Sequence, residues 1–367
     1  MSQTPNYWDY LDLQTLLSLQ GGLEKDETQL IPDELHFIMT HQVLELWFKL
    51  ALAELRHARD HLAAPRVPEA KISYVVHHLR RVNSVLRLVV NTFEVMETLT
   101  PQDFLSFRDK LTPASGFQSF QMRELEILMG LTDEIRVRYG KTNPIEHIRK
   151  LAESSPAGKM AWSRLVAVQE ETSLRDAMHA WLYRTPIHAS HPESEGDEAV
   201  VDGFIEKYIE AVSANHARQA EALIATGVTE PDAIRARFKK NTAAARGYLM
   251  AEDVEDAEQR RRVRRTRAGL LFIESYRDLP LLAFPRLLVD TMVEFEENIV
   301  LFRTRHARMV ERIIGRRVGT GGSSGVDYLD KTTRLRIFTD LWTVRTVLLP
   351  RHLLPSVSNE AFYGFAS

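Results

Sequence analysis

The chain has 367 residues, 44% hydrophobic and 26% charged, which is enough apolar sequence for a sizeable buried core. A formal net charge of −3, from 47 basic and 50 acidic side chains, gives no reason to invoke nucleic acid or an anionic membrane as partner. Cysteine is absent, which removes disulfides, thiolate nucleophiles, iron–sulfur ligation and cysteine zinc sites together, so any metal must be held by histidine or carboxylate.

The opening MSQTPNYWDY lacks the basic start and apolar core of a secretory signal. No apolar run reaches the ~18 residues of a bilayer span. A soluble, cytoplasmic protein is expected. From residue 33 to about 62, Phe37, Leu44 and Phe48 recur at helical spacing, with Ile38, Leu46 and Trp47 widening the stripe. Residues 72 to 99 repeat the pattern through Val75, Leu79, Val82, Leu86, Val89, Val90 and Phe93. Proline and threonine punctuate the chain at LTPQDF (99–104) and LTPASGF (111–117). The segment TPIHASHPESEGDE (185–198) reads as the most loop-like stretch. A third long helix is expected from about 288 to 314. No convincing alternating strand occurs, so the fold class is all-α, with a bundle-like core of long helices. One domain, residues 1–367, is expected, with residues 140–285 as a helical insertion.

Two basic runs, RARFKK (235–240) and RRRVRRTR (260–267), read as solvated helix faces with compensating acids nearby. Neither has the interleaved aromatics that nucleic-acid stacking needs.

Two histidines stand on apolar faces. Phe37, His41, Leu44 and Phe48 are spaced four, three and four apart. Ile299, Phe302, His306, Val310 and Ile313 are spaced three, four, four and three, with Arg303, Arg305 and Arg308 assigned elsewhere on that helix. Spacing alone favours a hydrogen-bonded core histidine over a ligand at each position. His57 and His61 have metal-compatible spacing but sit among charged residues and read as surface. The run GTGGSSG (319–325) is a floppy spacer or a backbone cradle for an anion. It is not a phosphate loop, because Val326 stands where lysine would be needed.

The blocks DELHFIMTHQVLELWFKLALAEL, DFLSFRDKLTPASGFQSFQMRELE and FRTRHARMVERIIGRRVGTGGSSGVDYL together resemble the tryptophan 2,3-dioxygenases. The opening YWDYLDLQTLLSLQ is similar to that family's first helix. The resemblance implies an all-helical, homotetrameric enzyme carrying haem b that opens the indole ring of L-tryptophan with O2 to give N-formylkynurenine. Carried over by motif, His306 is the proximal iron ligand and His41 lies near the indole N–H. Phe37 and Phe104 wall the indole. Arg108 holds the substrate carboxylate, and Thr320 contacts the amino-acid end. Tyr7 and Tyr10 match aromatics that complete a neighbouring subunit's pocket. The resemblance turns the reading of the glycine run towards a cradle. The chain departs from the family pattern at Trp8, Phe302 and Val326, and in the order of Leu35 and His36. These departures alter the pocket edge and the surroundings of the haem. Motifs do not separate dioxygenation from placement of one oxygen atom on tryptophan or a modified tryptophan. A haem-binding sensor without catalysis is a further alternative, against which the joint presence of His41, Arg108 and Thr320 argues.

Overall fold

The computed structural model describes residues 6–138, 144–153, 155–227, 230–320 and 325–364. Residues 321–324, the middle of the glycine run, lie outside the described residues. The fold is all-α, as expected. Among the described residues there is no strand, only an isolated bridge between Ile187 and Ser190.

The chain divides into two compact units. The first comprises Met1–Arg56, Arg80–Glu171 and Phe295–Leu335, and the second His57–Leu79, Thr172–Glu294 and Arg336–Ser367. The first eight helices are α1 (Tyr7–Tyr10), α2 (Leu13–Leu16), α3 (Glu34–Ala63), α4 (Glu69–Met96), α5 (Pro101–Leu111), α6 (Phe120–Met129), α7 (Pro144–Ala152) and α8 (Pro156–Gln169). There follow α9 (Leu174–Tyr183), α10 (Asp197–Ile224), α11 (Pro231–Leu249), α12 (Ala257–Ser275), α13 (Ala283–Ile314), α14 (Val326–Thr332) and α15 (Thr339–Val347).

In the first unit the core follows the expected stripes except at Leu46, which is exposed. Phe48, Leu52 and Leu55 of α3 are buried, as are Val82, Leu86, Val89 and Phe93 of α4 and Phe295 and Ile299 of α13. Each such side chain contributes roughly 1.5–3 kcal/mol relative to exposure. Local chemistry sets the short helices between them. Thr100 caps α5 by accepting from the Asp103 N–H, and Pro101 occupies the first turn, where its missing donor costs nothing. Ser119 caps α6 in the same way through the Met122 N–H. Gly130 ends α6 in the left-handed region, at φ 111°.

In the second unit α10 packs on α11, and α12 packs on α9 and α15. Gly269 lets α12 approach α9 closely, since a Cβ there would lie 2.4 Å from the Leu182 carbonyl oxygen. The basic run at 260–267 differs from expectation. Arg265 and Arg267 are interior, because each guanidinium meets carboxylates: Arg265 pairs with Asp197, and Arg267 with Asp253 and Asp340. Arg264 pairs with Glu198 and Asp202.

Candidate active site

A cavity of about 520 Å³ lies within the first unit, a size suited to a small-molecule or cofactor site. Phe37 and His41 of α3, Phe104 and Arg108 of α5, His306 of α13, and Thr320 all line it. Residues separated by nearly the whole chain therefore meet in one place. Aromatic and aliphatic side chains form most of the wall.

One aromatic cluster lies at the start of α3. The rings of Phe37 and Phe104 are 5.9 Å apart between centroids, and Phe107 stands 5.6 Å from Phe37 and 5.5 Å from Phe104. The His41 ring lies 4.1 Å from Phe37. His41 Nδ1 makes a 2.8 Å hydrogen bond with the Phe37 carbonyl one turn earlier. A carbonyl only accepts, so the proton sits on Nδ1 and Nε2 carries a lone pair in the neutral ring. Burial lowers the His41 pKa and keeps the ring neutral, against smaller opposing effects of that hydrogen bond and of Glu45.

His306 occupies a second aromatic nest. Phe93 stacks beside it at 5.6 Å and 6°, and Phe302 at 5.8 Å and 25°. Phe48 and Phe93 hold Phe302 in turn, at 5.9 and 5.6 Å. Burial, with His41 and Arg123 adding to it, pushes the His306 pKa down to about 4. The imidazole is therefore neutral near pH 7 and has a lone pair to give. The accessible part of its ring faces the cavity that it lines.

Arg108 lies in the last turn of α5 and donates through Nη2 to the Val318 carbonyl. Thr320 donates its hydroxyl to the Ala114 carbonyl over 2.6 Å. The start of the glycine run is thus tied to α5 and to the loop after it. Tyr7 and Tyr10 do not line the cavity of their own chain. They are 70% and 80% exposed, among further exposed apolar residues Trp8, Leu11 and Leu17.

Sequence reasoning missed a buried charge cluster. Arg123, Glu126 and Arg303 line the cavity, and Arg136 joins them from behind. Arg303 was expected away from the apolar face but is only 4% exposed. The signal was present: three residues before His306 is only about 60° around the helix from it. Burial pushes the Glu126 carboxyl up, yet Arg123, Arg136 and Arg303 outweigh it and hold the group below the ordinary range. Among the described residues no three histidine or carboxylate groups converge to hold a bare metal ion. No helix among them is long and apolar enough to cross a membrane.

These features define a class: an all-helical protein whose pocket is rich in aromatic side chains and lined by two neutral histidines. The family model described as tryptophan 2,3-dioxygenase matches residues 1–348. A tryptophan 2,3-dioxygenase of Sorangium cellulosum is 45% identical over 366 residues, covering 98% of this chain and 87% of that one. Tryptophan 2,3-dioxygenase 2 of Ralstonia nicotianae is 46% identical over 369 residues, covering 98% of both. A tryptophan 2,3-dioxygenase-like protein of Xanthomonas campestris pv. campestris is 43% identical over 272 residues, 73% of this chain and 98% of that one. The chain belongs to the tryptophan 2,3-dioxygenase family.

Proposed function

We propose that this chain is a haem-dependent tryptophan 2,3-dioxygenase that adds both atoms of O2 across the indole C2–C3 bond of L-tryptophan, giving N-formylkynurenine. Family membership over nearly the whole chain supports the reaction. One observation supports its assignment to particular residues: His41, His306, Arg108 and Thr320 line a single cavity.

The residues present fit haem b. His306 is neutral, flanked by Phe93 and Phe302, and makes no hydrogen bond with another described residue. A single histidine suits a metal that arrives already held by a macrocycle. Arg303 Nε and Nη2 are buried without a hydrogen bond, Nη2 lying 3.6 Å from Glu126, and such donors suit a cofactor bearing acidic groups. His306 would hold the iron, which supplies the binding and activation of O2 when bound.

The chain's own groups do the rest. Phe37 and Phe104 offer apolar ring surface for the indole. His41 Nε2, left as an acceptor by the Nδ1 bond to Phe37, takes a hydrogen bond from the indole N–H and fixes the ring's direction. It need not remove that proton outright, since an indole N–H is a very weak acid poorly matched to imidazole. Arg108 presents a planar fork to the substrate carboxylate, and Thr320 contacts the amino-acid end. Gly319, the neighbour of Thr320, lines the same cavity. Tyr7 and Tyr10 complete the pocket of a neighbour in a homotetramer, a role their exposure permits.

Mass spectrometry of the products from L-tryptophan, ¹⁸O2 and the reduced protein tests the reaction. Two labelled oxygen atoms in N-formylkynurenine are expected. One labelled atom in a hydroxylated or epoxidised tryptophan would make the protein a monooxygenase. No product with haem bound would make it a sensor.

A further inference from the structure

We infer that Lys110 is a positioning residue for the substrate carboxylate: bridged to Glu34 of α3, it stops α5 from rolling and so sets where Arg108 reaches. This rests on the proposed reading of Arg108 as the carboxylate clamp and extends it to a side chain that does not line the cavity.

Helix geometry places the two cations on opposite flanks of α5. Phe104 and Phe107 form the face that packs on α3, their rings 5.9 and 5.6 Å from Phe37. At about 100° per residue, Arg108 lies roughly 70° to one side of the middle of that face and Lys110 roughly 90° to the other. Arg108 lines the cavity and Lys110 does not. Both stand in the last turn of α5, which ends at Leu111. A roll of α5 that swings Arg108 off the substrate therefore has to drag Lys110 as well.

Glu34 holds Lys110 in place. It is 3% exposed, and its Oε2 accepts from Lys110 Nζ at 2.9 Å and from the Ile31 N–H at 3.1 Å. The second bond ties the carboxylate to the backbone ahead of α3, so it does not simply follow the lysine. A buried carboxylate has lost its water, and breaking its pairing with a cation is costly. Glu24 adds a second carboxylate 3.1 Å from the same ammonium. The turn that carries Glu24 is tight, since a Cβ on Gly21 would lie 2.4 Å from the Asp26 nitrogen. Glu34 first and Glu24 second hold the Lys110 ammonium above the ordinary lysine range.

The bridge ties together the two parts that must match one substrate. Glu34 precedes Phe37 by one turn of α3, and Phe37 is a wall of the proposed indole site. Lys110 follows Arg108 by two residues on α5. Lys110–Glu34 therefore fixes the carboxylate clamp against the indole wall. On the other flank Arg108 Nη2 donates to the Val318 carbonyl, and an arriving carboxylate draws on those same donors. Lys110 keeps the end of α5 in place at that moment.

The test is calorimetric binding of L-tryptophan and of tryptamine, which lacks the carboxylate, to the haem-loaded ferrous protein without O2. Wild type is compared with Lys110→Met, Lys110→Arg, the double variant Lys110→Met/Glu34→Gln, and Arg108→Leu. Lys110→Met is expected to weaken L-tryptophan by about ten- to a hundredfold, the scale of a slightly misplaced orienting group, and tryptamine by less than about twofold. Lys110→Arg keeps a cation and should keep most of the preference. The double variant removes the carboxylate that Lys110→Met strands, so it should regain thermal stability without regaining the preference. Haem content, read from the Soret band, should be unchanged throughout. Equal weakening of both ligands in Lys110→Met and in the double variant marks a purely structural lysine and overturns the inference. An unchanged preference in either variant, or loss of haem in both, also overturns it. If Lys110→Met does not fold, the double variant and Lys110→Arg decide by the same comparison. Arg108→Leu separates the two layers. Retention of the preference there defeats the clamp reading and this inference with it. Loss there with retention in Lys110→Met defeats the positioning role alone.

Discussion

His41 donates through Nδ1 to the carbonyl of Phe37 over 2.8 Å, and the two rings lie 4.1 Å apart. One turn of α3 thus fixes both the tautomer and the direction of the imidazole, leaving Nε2 to accept. On the proposed reading this makes His41 an orienting group. His41→Ala should keep full haem content, raise KM for L-tryptophan and slow turnover by roughly ten- to a hundredfold, at or below the bottom of the range of about 10²–10⁴ for a lost acid–base group. Loss of haem in that variant would show a structural or ligating role. Complete inactivity with normal tryptophan binding would show an essential base.

His306 should carry the iron. His306→Ala is expected to lose stoichiometric haem or its five-coordinate histidine spectrum, and an unchanged ferrous spectrum would remove the assignment. The pH dependence follows from its depressed pKa. Burial, His41 and Arg123 push it to about 4, so the ring is neutral and able to ligate at any pH above that. As pH falls through about 4 a proton takes the lone pair. Haem affinity, followed by Soret titration, should be nearly flat from pH 8 to 5 and fall below that. A midpoint near 6.5, the ordinary histidine value, would contradict the effect of burial.

Arg108 and Thr320 should discriminate for the substrate carboxylate. Charge-assisted hydrogen bonds of this kind are worth about 1.5–3 kcal/mol each. Arg108→Leu should therefore lower kcat/KM by about ten- to over a hundredfold. Thr320→Ala should cost less, because the backbone donor remains. Wild type should reject tryptamine strongly, and Arg108→Leu should lose most of that rejection. Full retention of the preference in Arg108→Leu would sink the clamp and return the glycine run to a spacer.

The N-terminal segment should act in trans. Tyr7, Trp8 and Tyr10 are exposed in the single chain, and an aromatic terminus is held down only by something outside it. Deleting residues 1–12 should weaken tryptophan affinity and oligomer stability together, measured by activity and by light scattering. An active monomer with unchanged KM would count against the idea.

Helical periodicity alone gave α3, α4 and α13 close to their observed limits, because apolar spacing reports which face of a helix is buried. The breaks at LTPQDF and LTPASGF were legible too, but the caps Thr100 and Ser119 that start α5 and α6 were not singled out there, although a helix start is local chemistry. The two histidines on apolar stripes were equally plain. The meaning of those histidines was not. A stripe says that a side chain points inward, and a core residue and a cavity-lining residue look alike from one helix. Arg303 shows the limit most clearly, since its charge argued for solvent while its position one turn before His306 argued for the interior. Arg265 and Arg267 misled in the same way.

By itself, then, the sequence determined the helices, their buried faces and, through long motif blocks, the family. Only the tertiary structure decided that residues 37, 41, 104, 108, 306 and 320 line one cavity, and that Arg123, Glu126, Arg136 and Arg303 form one charge cluster beside it. The reason is physical. Backbone period and capping are short-range and can be read from a few neighbours. The partner that neutralises a buried arginine, or the wall that faces a histidine, comes from a distant segment, and only packing brings it there.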